Sequence, residues 1–177
     1  MRDLCFNLDP STFNFRMGEI TLEQTIVALL REKGKCLSTA ESCTGGYLAH
    51  RITLVPGSSE VFHQGWVTYS DHAKVQMLGV PSHFIQEHGD VSEPVVRAMA
   101  KGALQKSGSD YAIGVTGIAG PSGGTKEKPV GTVWIALASK KRTDAKHFLF
   151  EMDRETFKII TTQTALDMLR RELLRTE

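Results

Sequence analysis

The sequence of 177 residues has no long apolar run and few cysteines. No stretch approaches the roughly 18 consecutive apolar residues of a transmembrane helix, and the N-terminal segment lacks the apolar part of a secretory signal. The three cysteines, Cys5, Cys36 and Cys43, form neither a CxxC pair nor an even disulfide framework. These absences favour a cytoplasmic protein that does not insert into a membrane.

An excess of charge of either sign is also absent. Lys and Arg number 21 against 20 for Asp and Glu, which leaves a net charge of +1. A nucleic-acid-binding surface depends on clustered cations, so we expect no nucleic-acid partner, although a local basic patch is compatible with this balance. The histidines never take an HxxxH or HExxH spacing, and we expect neither a metal nor a cofactor.

Helical and strand patterns alternate along the chain. Thr21 and Gln24 have the spacing of a capping box before an apolar stripe, and Gly34 marks the end of that helix. The predicted helices cover residues 21–34, 44–55, 71–80, 91–108 and 154–175, and the predicted strands cover 35–42, 61–69, 110–117, 130–139 and 146–152. This alternation predicts an α/β fold, with a single layered domain over residues 17–177 in which a β-sheet is flanked by helices. We interpret residues 1–16 as an N-terminal arm of unknown role.

Polar residues crowd the junction between the first strand and the second helix, in the string TAESCTGG at residues 39–46. Backbone N–H groups at such a junction carry partial positive charge and suit an oxyanion or a phosphate. Cys43 is a candidate nucleophile because a thiol at a helix N-terminus has a lowered pKa, but only one of Cys43 and Ser42 is expected to face the site. The competing interpretation is that Ser42 or Thr44 only caps the helix while the two glycines allow the turn.

The string YSDHAK at residues 69–74 lies at the end of a predicted strand and the start of a helix. Lys74 could act as a base if burial favours its neutral form, and the hydroxyl of Tyr69 could relay its proton. The competing interpretation is that Ser70 or Asp71 caps the helix and that Lys74 is exposed.

Two further segments could meet an anion. The glycines of the loop over residues 117–131 let the backbone approach a ligand closely, with Lys126 and Lys128 nearby, although the loop lacks the order of a P-loop. Arg154 begins the last predicted helix, where its guanidinium and the first N–H groups of that helix could jointly hold a phosphate or a carboxylate. The competing interpretations are that the loop is only a mobile connector and that Arg154 only forms a surface ion pair.

These strings occur together in the order and spacing of the CinA C-terminal domain family, which the chain resembles over about residues 20–175. The resemblance rests on TAESCTGG, YSDHAK, GVPSHFIQEHGDVSEPVV, TGIAGPSGGTKEKPVGTVWIAL and the step from Asp153 to Arg154. Stand-alone members are nicotinamide-nucleotide amidohydrolases, so the resemblance implies deamidation of nicotinamide mononucleotide to nicotinate mononucleotide and ammonia. One alternative is a non-catalytic nucleotide-binding module, since the domain also occurs fused to another domain in proteins linked by name to competence and DNA damage. Another is a serine or cysteine hydrolase that acts on a different amide.

The resemblance also implies roles for individual residues. Ser42 falls on the proposed nucleophile of the family, and Lys74 and Tyr69 fall on the residues that assist it. The chain departs from the family at Asp71, where Asn is usual, and at Asp90, where Ala is commoner. The carboxylate of Asp71 would stabilise the charged form of Lys74 and so weaken it as a base.

The remaining site residues are expected to bind the substrate. Backbone N–H groups around Thr44 to Gly46 are candidates for an oxyanion hole or a phosphate cradle, and Arg154 with the glycine loop would hold the nucleotide phosphate. The expected partner is a small-molecule nucleotide, without nucleic acid or membrane, and a homo-oligomer is left open. The predicted substrate-binding residues are Glu41, Thr44, Gly45, Gly46, Thr116, Gly117, Gly120 and Arg154.

Overall fold

A computed structural model describes residues 20–175, so the predicted arm over residues 1–16 lies outside the described residues. The helices within this range are α1 (Leu22–Glu32), α2 (Tyr47–Thr53), α3 (Asp71–Leu78), α4 (Ser82–His88), α5 (Glu93–Ser107) and α6 (Arg154–Arg175), with a short 3-10 helix at Ser58–Glu60. The strands are β1 (Leu37–Glu41), β2 (Phe62–Val67), β3 (Tyr111–Gly117), β4 (Thr132–Ser139) and β5 (Thr143–Leu149).

The five strands form one mixed sheet in the order β2-β1-β3-β4-β5. Strand β1 pairs in parallel with β2 and β3, whereas β3–β4 and β4–β5 are antiparallel. The carboxyl ends of β1, β2, β3 and β5 therefore lie at one edge, called here the carboxyl edge, and the opposite edge is called the amino edge. Strands β2 and β3 lie on opposite sides of β1, so the order in which the chain adds strands reverses at β1. Open α/β sheets bind ligands beside such a reversal.

Helices cover both faces of the sheet. One apolar core joins the sheet to α1, α2 and α6, and includes Ile26, Leu48 and Leu166. The other joins it to α3 and α5, and includes Ala40, Leu78 and Met99. The prediction of an α/β domain with a sheet flanked by helices is confirmed.

Most predicted elements are present, with two differences. Helix α4 was not predicted because it is a single short helix with no buried residue, between Pro81 and Gly89. Strand β5 begins at Thr143, three residues before the predicted start, because the antiparallel ladder with β4 extends back to the tight connection after Ser139. The apolar positions predicted for α6 are all buried, namely Phe157, Ile160, Ala165, Leu166, Leu169 and Leu173.

Residues 20–175 also bear on the expectations for a membrane and a metal ion. No helix in this part of the chain is long and apolar enough to cross a membrane. In the same residues, no group of three or more His, Cys, Asp or Glu side chains could hold a metal ion.

Candidate active site

The carboxyl edge of the sheet gathers the predicted site residues from four elements. Ser42 follows β1, Tyr69 follows β2, Gly120 follows β3 and Arg154 begins α6 after β5. Because strand ends at one edge lie side by side, residues distant in sequence meet there.

Ser42 and Cys43 point to opposite faces of the sheet. The amide of Ser42 donates to the carbonyl of Val115 at 3.0 Å, which continues the ladder between β1 and β3 by one residue. Side chains alternate along a strand, so Ser42 shares the face of Ala40, which packs in the core with α3 and α5. Cys43 packs in the other core, beside α1, α2 and α6.

The thiol of Cys43 is a poor nucleophile in this position. Burial raises the pKa of Cys43 to about 12, while the nearby charges of Glu41 and Lys74 act in opposite directions. The predicted lowering of its pKa by a helix N-terminus is therefore wrong. Ser42 remains as the nucleophile candidate of this turn.

Glu41 lies beneath the turn and not on its surface. Its fully buried carboxylate accepts hydrogen bonds from the hydroxyl of Thr44 (2.7 Å) and from the amides of Gly46 (3.0 Å), Leu48 (3.0 Å) and Ala49 (2.8 Å). A carboxylate is favourable at a helix N-terminus, so Glu41 caps α2. The structure gives this residue a supporting role where the sequence predicted contact with substrate.

Two backbone amides of the turn are buried and lie against the Cys43 sulfur instead of an oxygen. The amides of Ser42 and Gly45 donate to carbonyl oxygens, and that of Gly46 donates to the buried carboxylate. Within the described part of the chain, the amides of Cys43 and Thr44 have no oxygen acceptor. The candidates for an oxyanion hole are therefore these two amides, whereas the sequence pointed to the range from Thr44 to Gly46.

Lys74 is fully buried in α3, so the interpretation of an exposed lysine is wrong. The hydroxyl of Ser70 accepts from the amide of Ala73 and caps this helix, as one interpretation of the string predicted. The ammonium nitrogen of Lys74 lies 3.2 Å from Asp71 Oδ1 and 3.5 Å from Asp90 Oδ2. Both positions at which the chain departs from the family therefore place a carboxylate against this lysine.

Two of the predicted binding residues support the backbone of the site. The buried hydroxyl of Thr116 donates to the carbonyl of Asp90 at 3.0 Å and so ties β3 to the segment before α5. A Cβ atom on Gly117 would lie 2.8 Å from the carbonyl oxygen of Thr132, so only glycine fits this approach of β3 to β4.

Arg154 connects the loop after β3 with the segment after β2. Its Nη1 donates to the carbonyl oxygen of Gly120 at 2.7 Å, and its Nη2 donates to the hydroxyl oxygen of Tyr69 at 2.7 Å. Tyr69 is 59% exposed and so faces the solvent beside the turn. Among the described residues, no hydrogen bond joins the Ser42 hydroxyl to Lys74 or Tyr69.

The first amides of α6 are occupied by the protein itself. Asp153 Oδ1 accepts from the amides of Glu155 and Thr156 at 3.0 Å each, and Oδ2 accepts from the Thr156 hydroxyl at 2.6 Å. The hydrogen bonds from Thr156 hold the pKa of Asp153 below its usual value. These two amides are therefore used by Asp153 and are not free to help bind a phosphate, whereas the side chain of Arg154 is available.

Lys158 was not predicted as a site residue, and the structure places it at the same turn. Its ammonium nitrogen lies 3.9 Å from the position of a Cβ atom on Gly45 and 5.9 Å from the ring centre of Tyr47. The sequence signal was the basic pair Arg154 and Lys158, whose spacing of four puts both side chains on one face of α6.

Comparison with known proteins assigns the chain to a family. The family model described as the CinA C-terminal domain matches residues 19–173. CinA-like proteins of Akkermansia muciniphila and Geotalea uraniireducens are each 54% identical to it, over 82% and 87% of this chain. A putative competence-damage inducible protein of Symbiobacterium thermophilum is 52% identical over 92% of the chain. The chain spans 36%, 37% and 40% of the length of these relatives, respectively.

Solved structures agree with this assignment. Competence damage-inducible protein A (ComA) from Klebsiella pneumoniae superposes with a TM-score of 0.85 and 37% identity, covering 88% of this chain and 97% of that chain. The competence/damage inducible protein CihA from Agrobacterium tumefaciens gives a TM-score of 0.82 and 40% identity, covering 87% and 94%. With the family model matched over nearly the whole described range, the chain belongs to the CinA C-terminal domain family.

Proposed function

We propose that the protein is an amidohydrolase that converts nicotinamide mononucleotide and water to nicotinate mononucleotide and ammonia. The observation that carries this proposal is the turn after β1, where Ser42 is followed by two amides without an oxygen acceptor in the described part of the chain. A nucleophile next to N–H donors that no protein oxygen accepts is what the hydrolysis of an unactivated amide needs. The choice of substrate comes from the family resemblance.

The proposed reaction has two halves. Ser42 Oγ attacks the carboxamide carbon, and the negative charge on the carboxamide oxygen is stabilised by the amides of Cys43 and Thr44. The C–N bond then breaks, the leaving nitrogen takes up the proton that the serine gave up, and ammonia departs. Water attacks the resulting ester, which releases the carboxylate product and restores Ser42.

Lys74 is the proposed proton carrier in both half-reactions, and it exchanges the proton with the reacting atoms either directly or through Tyr69. Burial of Lys74 on the sheet face shared with Ser42 supports this role, because a proton carrier must be held close to the reacting atoms. The carboxylates of Asp71 and Asp90 lie 3.2 and 3.5 Å from the ammonium nitrogen of Lys74 and so hold the end of this side chain in place.

Arg154 is the proposed contact for the nucleotide phosphate. Within residues 20–175 no carboxylate lies in ion-pair distance of its guanidinium, and its two hydrogen bonds to uncharged oxygens leave its positive charge uncompensated. Guanidinium groups in such positions bind phosphate through paired N–H donors.

A non-catalytic nucleotide-binding module is the second candidate. Two observations favour it: carboxylates hold Lys74 from two sides, and in the described part of the chain no base is hydrogen-bonded to Ser42. Such a module would bind the mononucleotide without consuming it.

Ammonia release from nicotinamide mononucleotide by the purified protein tests the two candidates, with calorimetric binding measured in parallel. Release together with binding supports the amidohydrolase. Binding without release by the wild type supports the module. Nicotinamide as an equally good substrate would instead indicate a general amide hydrolase.

A further inference from the structure

Lys158 extends toward the turn that carries Ser42. It lies one helical turn beyond Arg154 on α6, and its ammonium nitrogen stands 3.9 Å from where a Cβ atom on Gly45 would be. Gly45 has φ +62° and is exposed, so it leaves the space in front of this ammonium group unfilled by a side chain.

The charge of Lys158 is not neutralised by the protein. Farther along the same helix, Arg170 and Arg171 both pair with Asp167 at 2.7 and 2.6 Å. By contrast, no carboxylate in residues 20–175 lies within ion-pair distance of Lys158 or Arg154. Two uncompensated cations on one helix face attract an anion of matching charge.

Helix ends cannot supply the anion site at this edge. The N-terminus of α2 is capped by the buried carboxylate of Glu41, and that of α6 by Asp153. We therefore expect a phosphate at this edge to be bound by side chains, with Lys158 and Arg154 as the charged groups in place.

We infer that Lys158 and Arg154 together bind the phosphate monoester of the substrate, with Lys158 placed over the Gly45 turn. This inference rests on the proposed function and adds a second phosphate contact to it. Arg154 has further N–H donors for two phosphate oxygens, and Lys158 contributes a compact positive charge. A dianionic phosphate would neutralise both cations.

The test compares Lys158→Gln with a matched control, Lys101→Gln, which changes an exposed lysine on α5 away from the site. KM for nicotinamide mononucleotide should rise roughly 10-fold in Lys158→Gln, as expected for the loss of one charge-assisted contact, with kcat little changed. KM for nicotinamide riboside, which lacks the phosphate, should stay the same. Lys158→Arg should restore most of the affinity, and Lys101→Gln should match the wild type on both substrates.

An unchanged KM for the mononucleotide, or equal losses on mononucleotide and riboside, would overturn the inference while leaving the amidohydrolase assignment intact. If the wild type releases no ammonia, the proposed function fails, and calorimetry still decides the inference. Lys158→Gln must then bind the mononucleotide roughly 10-fold more weakly than wild type, without a change toward the riboside. Inorganic phosphate is the third probe, and it should compete with the mononucleotide in the wild type and compete less well in Lys158→Gln.

Discussion

At the amino edge of the sheet Asp110 accepts hydrogen bonds from the amide of Cys36 and the ammonium group of Lys35, both at 3.1 Å, whereas at the carboxyl edge Arg154 and Lys158 have no carboxylate partner among the described residues. The first arrangement satisfies its charge within the protein. The second leaves two positive charges without a carboxylate partner in the described part of the chain.

A large concavity is not by itself a sign of unpaired charge, as the amino edge shows. A shallow concavity of about 810 Å³ lies at the amino edge, where its lining includes Lys35, Cys36 and the ion pair between Arg31 and Glu60 at 3.0 Å. Every one of these side chains has a partner. The candidate site is therefore better identified by the unpaired cations of the carboxyl edge than by the volume of a concavity.

The largest expected effect is at Ser42. Ser42→Ala should abolish ammonia release from nicotinamide mononucleotide while the thermal unfolding midpoint stays unchanged, because the proposed attacking oxygen is removed and little volume is lost. Cys43→Ala is the matched control and should stay active, with some loss of stability from the vacated core. An active Ser42→Ala and an inactive Cys43→Ala would move the nucleophile to the thiol.

Lys74→Met should lower kcat by roughly 100- to 10,000-fold, the range expected for loss of a proton carrier. Binding of the mononucleotide, measured by calorimetry, should stay within a few-fold of wild type, because the proposed phosphate contacts lie elsewhere. The variant keeps the length of the side chain, which limits packing changes in the buried site. Normal turnover with weakened binding would place Lys74 among the binding residues instead.

Arg154→Ala should raise KM for the mononucleotide by roughly 10- to 100-fold, because a charge-assisted contact contributes about 1.5 to 3 kcal/mol. The effect on the phosphate-free riboside should be smaller. Steady-state kinetics with the mononucleotide and the riboside would measure both KM values. Equal losses would mean that Arg154 acts by holding Tyr69 and Gly120 in place, and the phosphate would have to be sought along residues 117–128.

Much of the fold could be predicted because the apolar periodicity of each element and the residues that begin and end it are local in the sequence. The capping box of Thr21 and Gln24 is present, and the helix stops at Gly79 and Gly108 are left-handed residues as expected. Helix α4 was missed because it is short and its two apolar residues, Phe84 and Ile85, are adjacent and only half-buried, so its sequence has no apolar stripe.

The site was harder to predict because roles depend on where a side chain points. Strings of neighbouring residues placed Ser42, Lys74 and Arg154 close to the starts of predicted helices, but they could not show that the carboxylates of Glu41 and Asp153 accept hydrogen bonds from helix amides. Those contacts depend on the orientation of each carboxylate relative to the helix that follows it. Spacing in the sequence does not specify that orientation.

The smallest effect tests the amino edge, where Asp110→Asn should lower stability without lowering activity. Burial by itself raises the pKa of Asp110, but the Cys36 amide and Lys35 outweigh it, so the pKa lies below its usual value. A depressed pKa means that the folded state favours the carboxylate, and the resulting stability is present above the unfolded-state pKa of about 4 and is lost as the pH falls through the lower pKa of the folded state. At pH 7 the variant should lose about 1 to 2 kcal/mol of unfolding free energy, and urea titrations should show this gap to the wild type narrowing as the pH is lowered below about 4. Asp144→Asn, which breaks an exposed ion pair with Arg142, is the control and should change stability by less than about 0.5 kcal/mol. Loss of ammonia release in Asp110→Asn at unchanged stability would show that the amino edge takes part in function and would break the contrast between the edges.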